Sequence, residues 1–207
     1  MSTDIKRAKI LFIDDEGATV SQFMAHLRDE GFTNVVHQDN VRLLSEVIAI
    51  QADLIFLDIT GVATTLDVED EGLAVLSYIK KHAPWTAVVV LSGAEFAAPK
   101  AAALGQADQC VSKASLSLAD LVNLTEEQLS RTLSPECREV EVCSTWEGRI
   151  DELALSFMNK WKLRSLIAKA KKHEGDSNFD WRSFSSKMQR VLGTASNVAS
   201  IAALFVG

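Results

Sequence analysis

Cysteine and histidine are scarce in this sequence: three cysteines (Cys110, Cys137, Cys143) and four histidines among 207 residues. The cysteines form no C-x-x-C pair and the histidines show no ligand-like spacing. That argues against a zinc site or a disulfide framework and for a reduced, cytoplasmic setting. A signal-peptide pattern is also missing, because Met1-Ser2-Thr3-Asp4 leads through Lys6-Arg7 directly into a strand-like run. No apolar run is long enough for a bilayer span. The tail from Val191 to Gly207 is short and interrupted by Thr194, Ser196, Asn197 and Ser200. Internal repeats, low-complexity segments and a Gly-rich phosphate loop are absent as well.

What is present is a soluble, globular composition, 47% hydrophobic and 24% charged. The net charge of −7 is unevenly distributed. Residues 1–132 carry 10 Lys+Arg against 19 Asp+Glu, a balance of −9, and residues 133–207 carry 11 against 9, a balance of +2. A charge step of this kind supports two domains with different partners, 1–132 and 133–207.

The first 132 residues alternate strand-like and helix-like patterns. Lys9 to Ile13, Asn34 to His37, Leu54 to Asp58, Val88 to Leu91 and Gln109 to Ser112 read as strands. Helical spacing links Val20, Phe23, Met24 and Leu27, with Gly31 as a stop, then Val41, Leu44, Val47 and Ile48. Leu73, Leu76, Tyr78 and Ile79 mark a third helix that must end before Pro84. Pro99 to Leu104, closed by Gly105, predicts a short fourth helix. Leu116, Leu121, Leu124 and Leu129 predict a fifth, interrupted near Asn123. Five alternating β/α units predict a doubly wound, five-stranded parallel sheet.

Acids and two other polar groups end these strands. Asp14-Asp15-Glu16 follows the first strand, Asp58 ends the third, Ser92-Gly93 ends the fourth and Lys113 follows the fifth. Open parallel sheets place ligand sites outside the carboxyl ends of their strands. The three carboxylates Asp14, Asp15 and Asp58 supply the hard oxygen donors that Mg2+ prefers. A strand-end carboxylate such as Asp58 can attack a phosphoryl donor, while Ser92 and Lys113 are placed to meet phosphoryl oxygens. A lone acid at a strand end is ordinarily a helix cap or a solvated loop residue. The ordered set of acid pair, single acid, hydroxyl and lysine is what carries the reading.

On these residues the segment from 6 to about 130 resembles a response-regulator receiver domain of two-component signalling. The motifs are Ile10-Leu11-Phe12-Ile13-Asp14-Asp15-Glu16, Leu54-Ile55-Phe56-Leu57-Asp58, Val90-Leu91-Ser92-Gly93 and Gly105 through Lys113. The resemblance implies a flavodoxin-like fold and phosphorylation of Asp58 by a histidine kinase or phosphotransfer protein. It further implies Mg2+ held by Asp14, Asp15, Asp58 and the backbone carbonyl of Thr60, with Asp15 a direct ligand and Asp14 acting partly through water. Ser92 and Lys113 would take the hydroxyl and lysine switch roles.

Three departures stand out. Ala114, rather than Pro, follows the lysine; Cys110 replaces the usual aromatic residue of the last strand; and the Asp58–Gly72 loop is longer than usual and carries Asp67, Glu69, Asp70 and Glu71.

After Ser134-Pro135 the pattern changes. Val140-Glu141-Val142 is a possible strand. Then Ile150, Leu153, Phe157, Trp161, Leu163, Leu166, Ile167 and Ala170 follow helical spacing from Trp146. A loop at Gly175–Asn178 precedes Phe184, Met188 and Val191, and after Gly193 comes a last stretch with Val198, Ile201 and Leu204. A second, smaller all-α domain is expected. Lys160, Lys162, Arg164, Lys169, Lys171 and Lys172 read as the solvated face of an amphipathic helix with Trp161 in the core, or alternatively as a nucleic-acid contact.

The leading expectation is a response regulator whose helical region 133–207 acts through a protein partner or self-association. A DNA-binding regulator is the first alternative. An aspartate-nucleophile phosphatase is the second, disfavoured because Thr60 stands where such enzymes need a second acid.

Overall fold

A computed structural model describes residues 3–66, 71–93, 101–134, 150, 156–173, 184, 187 and 191. The chain divides into two compact units, Met1–Thr132 and Leu133–Gly207.

In the first unit, five short apolar runs become β1 (Lys9–Ile13), β2 (Asn34–Gln38), β3 (Leu54–Asp58), β4 (Ala87–Ser92) and β5 (Gln109–Ser112). All pairings are parallel, in the order β2-β1-β3-β4-β5. Every residue of β3 and β4 is buried, which explains why their sequences are continuous apolar runs rather than alternating ones. The edge strands β2 and β5 are partly exposed and correspondingly more polar. This is the expected doubly wound, flavodoxin-like sheet.

The connections are α1 (Thr3–Lys6), α2 (Gly17–Asp29), α3 (Leu44–Ile50), α4 (Glu71–His82), α5 (Ala101–Leu104) and α6 (Leu118–Thr132). Contacts run between α2 and α6 and between α4 and both α3 and α5, the two-faced arrangement that right-handed crossovers produce. One face centres on Phe12, stacked on its cross-strand neighbour Phe56 at 4.7 Å and tilted against Phe23 of α2 at 6.5 Å. Helix α2 buries Val20, Phe23, Met24 and Leu27 and is followed by Gly31 at φ +92°, a conformation glycine adopts without Cβ strain.

Two helix boundaries differ from the sequence expectation. Val41 is buried but precedes α3, and its N–H donates to Val62 O at 2.6 Å. Its helical spacing from Leu44 is coincidental; a loop-to-loop hydrogen bond fixes it. Helix α6 runs without interruption through Asn123, and Leu116 lies before it. Its start is set by Ser117, whose hydroxyl accepts from the Asp120 N–H at 3.1 Å and donates to the Asp120 carboxylate at 2.5 Å, an N-terminal cap.

In the second unit, α7 (Phe157–Lys171) starts at Ser156, whose hydroxyl accepts from the Asn159 N–H at 3.4 Å. Its buried residues are Leu163, Ile167 and Ala170, while Trp161 is 59% exposed, contrary to the expected core position. The described residues of this unit are otherwise Leu133 and Ser134, a turn residue, Ile150, the turn at Lys172 and His173 that follows α7, and helical positions at 184, 187 and 191. The proposed strand at 140–142, Trp146, Leu153, the 175–178 loop, Met188 and the last apolar stretch lie outside the described residues, as do Pro99, Cys137, Cys143, Asp67, Glu69 and Asp70. Among the described residues, no helix is long and apolar enough to cross a membrane.

Asp108 ties the sheet to two helices. Its carboxylate accepts from Lys80 of α4, from Arg131 of α6 and from the Val88 N–H of β4 at 2.7 Å. Burial alone would raise this carboxyl, but Lys80, the Val88 N–H and Arg131 outweigh it and hold the group below its ordinary value of 3.8. The stabilisation is therefore present above that value and lost as pH falls through the lower folded value. Asp108→Ala should cost about 3 kcal/mol in denaturant unfolding at neutral pH, as expected for an ion left buried without its partner. The difference from the unsubstituted chain should shrink on acidification below 3.8.

Candidate functional site

In the sheet order, the chain leaves β1 for β2 on one side and later returns to place β3 on the other. The crevice outside the carboxyl ends of β1 and β3 is the topological switch point, where open α/β sheets bind ligands. The residues following β1, ending β3 and β4, and following β5 meet there. Asp58 is opposite Leu91 in the β3–β4 register, and Ser92 is opposite Ser112 in the β4–β5 register. Asp14, Asp58 and Ser92 are buried, whereas Asp15 is exposed.

Carboxylate oxygens of Asp14, Asp15 and Asp58 all lie within 4.8 Å of one another. Lys113 closes the group from β5: its ammonium lies 2.5 Å from Asp58 Oδ2, 2.8 Å from Asp14 Oδ2 and 3.8 Å from the more exposed Glu16 carboxylate. Burial would depress the Lys113 ammonium, but hydrogen bonds and charge from Asp14 and Asp58 raise it above its usual value. For Asp14 the balance goes the other way. Burial raises its carboxyl, and Lys113 and the Glu16 N–H only partly offset that rise.

Backbone donors fix the orientation of these side chains. The Glu16 N–H donates to Asp14 Oδ1 at 2.9 Å, and the Thr60 N–H donates to Asp58 Oδ1 at 3.1 Å. His37 Nε2 donates to the Asp14 carbonyl at 2.8 Å, a bond that places a proton on Nε2.

A divalent cation fits this donor set. Three carboxylates face one ammonium, so with all of them ionised a surplus of two negative charges remains. All three offer hard oxygen atoms, as Mg2+ requires.

The sequence reading did not identify three residues that shape the site. Gly61 sits at φ +81°, and a Cβ there would overlap the Asp15 carboxylate. Its N–H donates to Glu71 Oε2 at 2.7 Å, so Glu71 anchors the loop. Glu71 itself has φ +28°, an uncommon conformation at the first residue of α4. Gly72 lets α4 approach the strand end: a Cβ there would lie 2.6 Å from Ile59 Cα, against the backbone that follows Asp58. Gly72→Ala should therefore destabilise the protein by about 1–3 kcal/mol through overpacking, read from the denaturant midpoint. Gly93→Ala, where no atom lies within 4 Å of the added Cβ, should have a much smaller effect.

No family model matches the chain. It is 34% identical over 152 residues to the alginate biosynthesis transcriptional regulatory protein AlgB of Pseudomonas syringae pv. tomato, covering 69% of this chain and 31% of that protein. It is 37% identical over 84 residues to the nitrogen assimilation regulatory protein NtrX of Azorhizobium caulinodans, covering 41% of this chain and 18% of that one. The chain thus spans less than a third of the length of these relatives. Among solved structures, the receiver domain of NtrX from Brucella abortus matches with a TM-score of 0.48 at 27% identity, covering 59% of this chain and 98% of that one. With the sheet order β2-β1-β3-β4-β5, and with the acid pair, the single aspartate, the hydroxyl and the lysine at one strand edge, residues 6 to about 130 are a response-regulator receiver domain.

Proposed function

We propose that this chain is a response regulator whose Asp58 receives a phosphoryl group from a histidine kinase or phosphotransfer protein in the reduced cytoplasm. The observation that carries the reading is the convergence of Asp58, Asp14 and Lys113, with Lys113 contacting both buried carboxylates. An Asp58 carboxylate oxygen attacks phosphorus, the bond to the donor's leaving group breaks, and a mixed anhydride forms. The Thr60 N–H on Oδ1 and the ammonium on Oδ2 hold the carboxylate plane for that attack.

Asp14, Asp15, Asp58 and the Thr60 carbonyl would hold Mg2+. When bound, this ion supplies the positive charge that lets an anionic nucleophile meet an anionic donor. Lys113 then pairs with a phosphoryl oxygen and Ser92 donates to another. Thr60 occupies the position two residues after Asp58 where a general acid would assist multiple turnover, so the anhydride serves as a stored signal and the chain promotes only its own phosphorylation and hydrolysis. Residues 133–207 form the output region, acting through a protein partner or self-association.

Intact mass after incubation with acetyl phosphate and Mg2+ should show one added phosphoryl group, lost in Asp58→Ala and in chelator. An unchanged gain in Asp58→Ala would sink the assignment.

A second reading, a DNA-binding regulator, is favoured by the basic α7 helix and by relatives named as transcriptional regulatory proteins. It predicts retardation of duplex DNA that weakens steeply as salt is raised. No retardation at low salt would dismiss it.

A further inference from the structure

Three large apolar side chains of α7 face solvent: Phe157 at 82%, Met158 at 58% and Trp161 at 59% exposure. The helix is anchored on its other side, where Leu163, Ile167 and Ala170 are buried, so this exposure belongs to a packed helix. Exposed apolar clusters of this kind mark interaction surfaces.

The same face is basic. Met158, Trp161, Lys162, Ser165, Lys169 and Lys172 are spaced three and four apart and share one stripe, and no acidic residue occurs from Phe157 to His173. Beside the stripe lies a groove of about 370 Å³ lined by Trp161, Lys162, Ser165, Leu166, Lys187 and Val191. Its walls are an indole and two aliphatic side chains, and two of its lining residues carry ammonium groups. The volume suits one or two large side chains.

We infer that this face docks an acidic amphipathic segment of a partner protein, which seats a large apolar side chain beside Trp161 and sets carboxylates against Lys162 and Lys187. The inference rests on the reading of residues 133–207 as an output region and names the chemistry of its partner. Charge complementarity selects the occupant. A second copy joined through the same face would set these lysines against their equivalents. A nucleobase in the groove would leave polar edges without partners between Leu166 and Val191. A helix with apolar residues at i, i+3, i+4 and i+7 and glutamates between them satisfies both the groove and its lysines.

The test uses the full chain and a fluorescein-labelled helical peptide with Leu and Phe at i, i+3, i+4 and i+7 and Glu at the other positions, followed by anisotropy. Saturable binding is expected, weakening with salt and roughly tenfold or more in Trp161→Ala, as for a central aromatic anchor. A loss of similar size is expected in Lys162→Glu combined with Lys187→Glu. A peptide with Lys in place of Glu should not bind. Absence of saturable binding, or binding indifferent to both sets of substitutions, overturns the inference. So does a single-stranded oligonucleotide or a phosphatidylserine vesicle that binds through these residues when the peptide does not. Phosphorylation by acetyl phosphate is measured on the same preparations. Added mass without peptide binding removes this inference alone, and peptide binding without added mass removes the Asp58 reading alone.

Discussion

The ammonium of Lys113 is what allows three carboxylates to share one sheet edge. Asp14 and Asp58 are both buried, and like charges at this separation repel strongly where water is scarce. Lys113 reaches from the far side of the sheet, across β4 and β3, and touches both. Its chain position therefore depends on the whole sheet closing in the order observed. Asp14 remains raised despite its lysine contact and a backbone donor, chiefly because it is buried and in smaller part because Asp58 is beside it. Three carboxylates against one ammonium leave this edge with hard oxygen donors that suit a divalent cation.

The rest of the site is a matter of backbone proximity. Gly61 makes room for Asp15, and Gly72 brings α4 against the residues following Asp58. Glu71 spans the loop between them by accepting from the Gly61 N–H, so the two ends of the acidic 61–71 segment are joined beside the site. A loop lengthened between two fixed ends costs little entropy, which is why such an insertion is compatible with the edge it borders.

The strands were legible because both faces of the sheet are covered, which turns each central strand into an uninterrupted apolar run. The strand-end acids, hydroxyl and lysine were legible for a related reason: polar residues stand out against such runs. Gly61 and Gly72 were not, since each is required by a residue distant in sequence or by backbone, and no local pattern encodes that contact. Val41 mimicked a helical position because burial, and not helicity, selected its side chain. Trp161 was misplaced by frame. Phe157 and Trp161 continue one helical stripe, but the stripe that α7 buries is Leu163, Ile167 and Ala170, roughly half a turn away.

The departures from the family pattern redirect attention to α4. At β5 the place of the usual aromatic is taken by Cys110, an exposed free thiol with little surface to bury, so a ring rotating inward is not available at this position. Helix α4, by contrast, is held at its first turn by the close fit of Gly72 on the Asp58–Ile59 backbone and at its last by Lys80 on Asp108. Asp108 also binds Arg131, on the final turn of α6, the helix that ends at Thr132, where the first unit ends. The contacts therefore run without a gap from the end of β3, through α4 and Asp108, to the end of α6. A new charge on Asp58 would act at the start of that series by competing for Lys113 and crowding the Asp58–Ile59 backbone. In a chain lacking the β5 aromatic, α4 is the element that both touches the residues following Asp58 and reaches the anchor of α6.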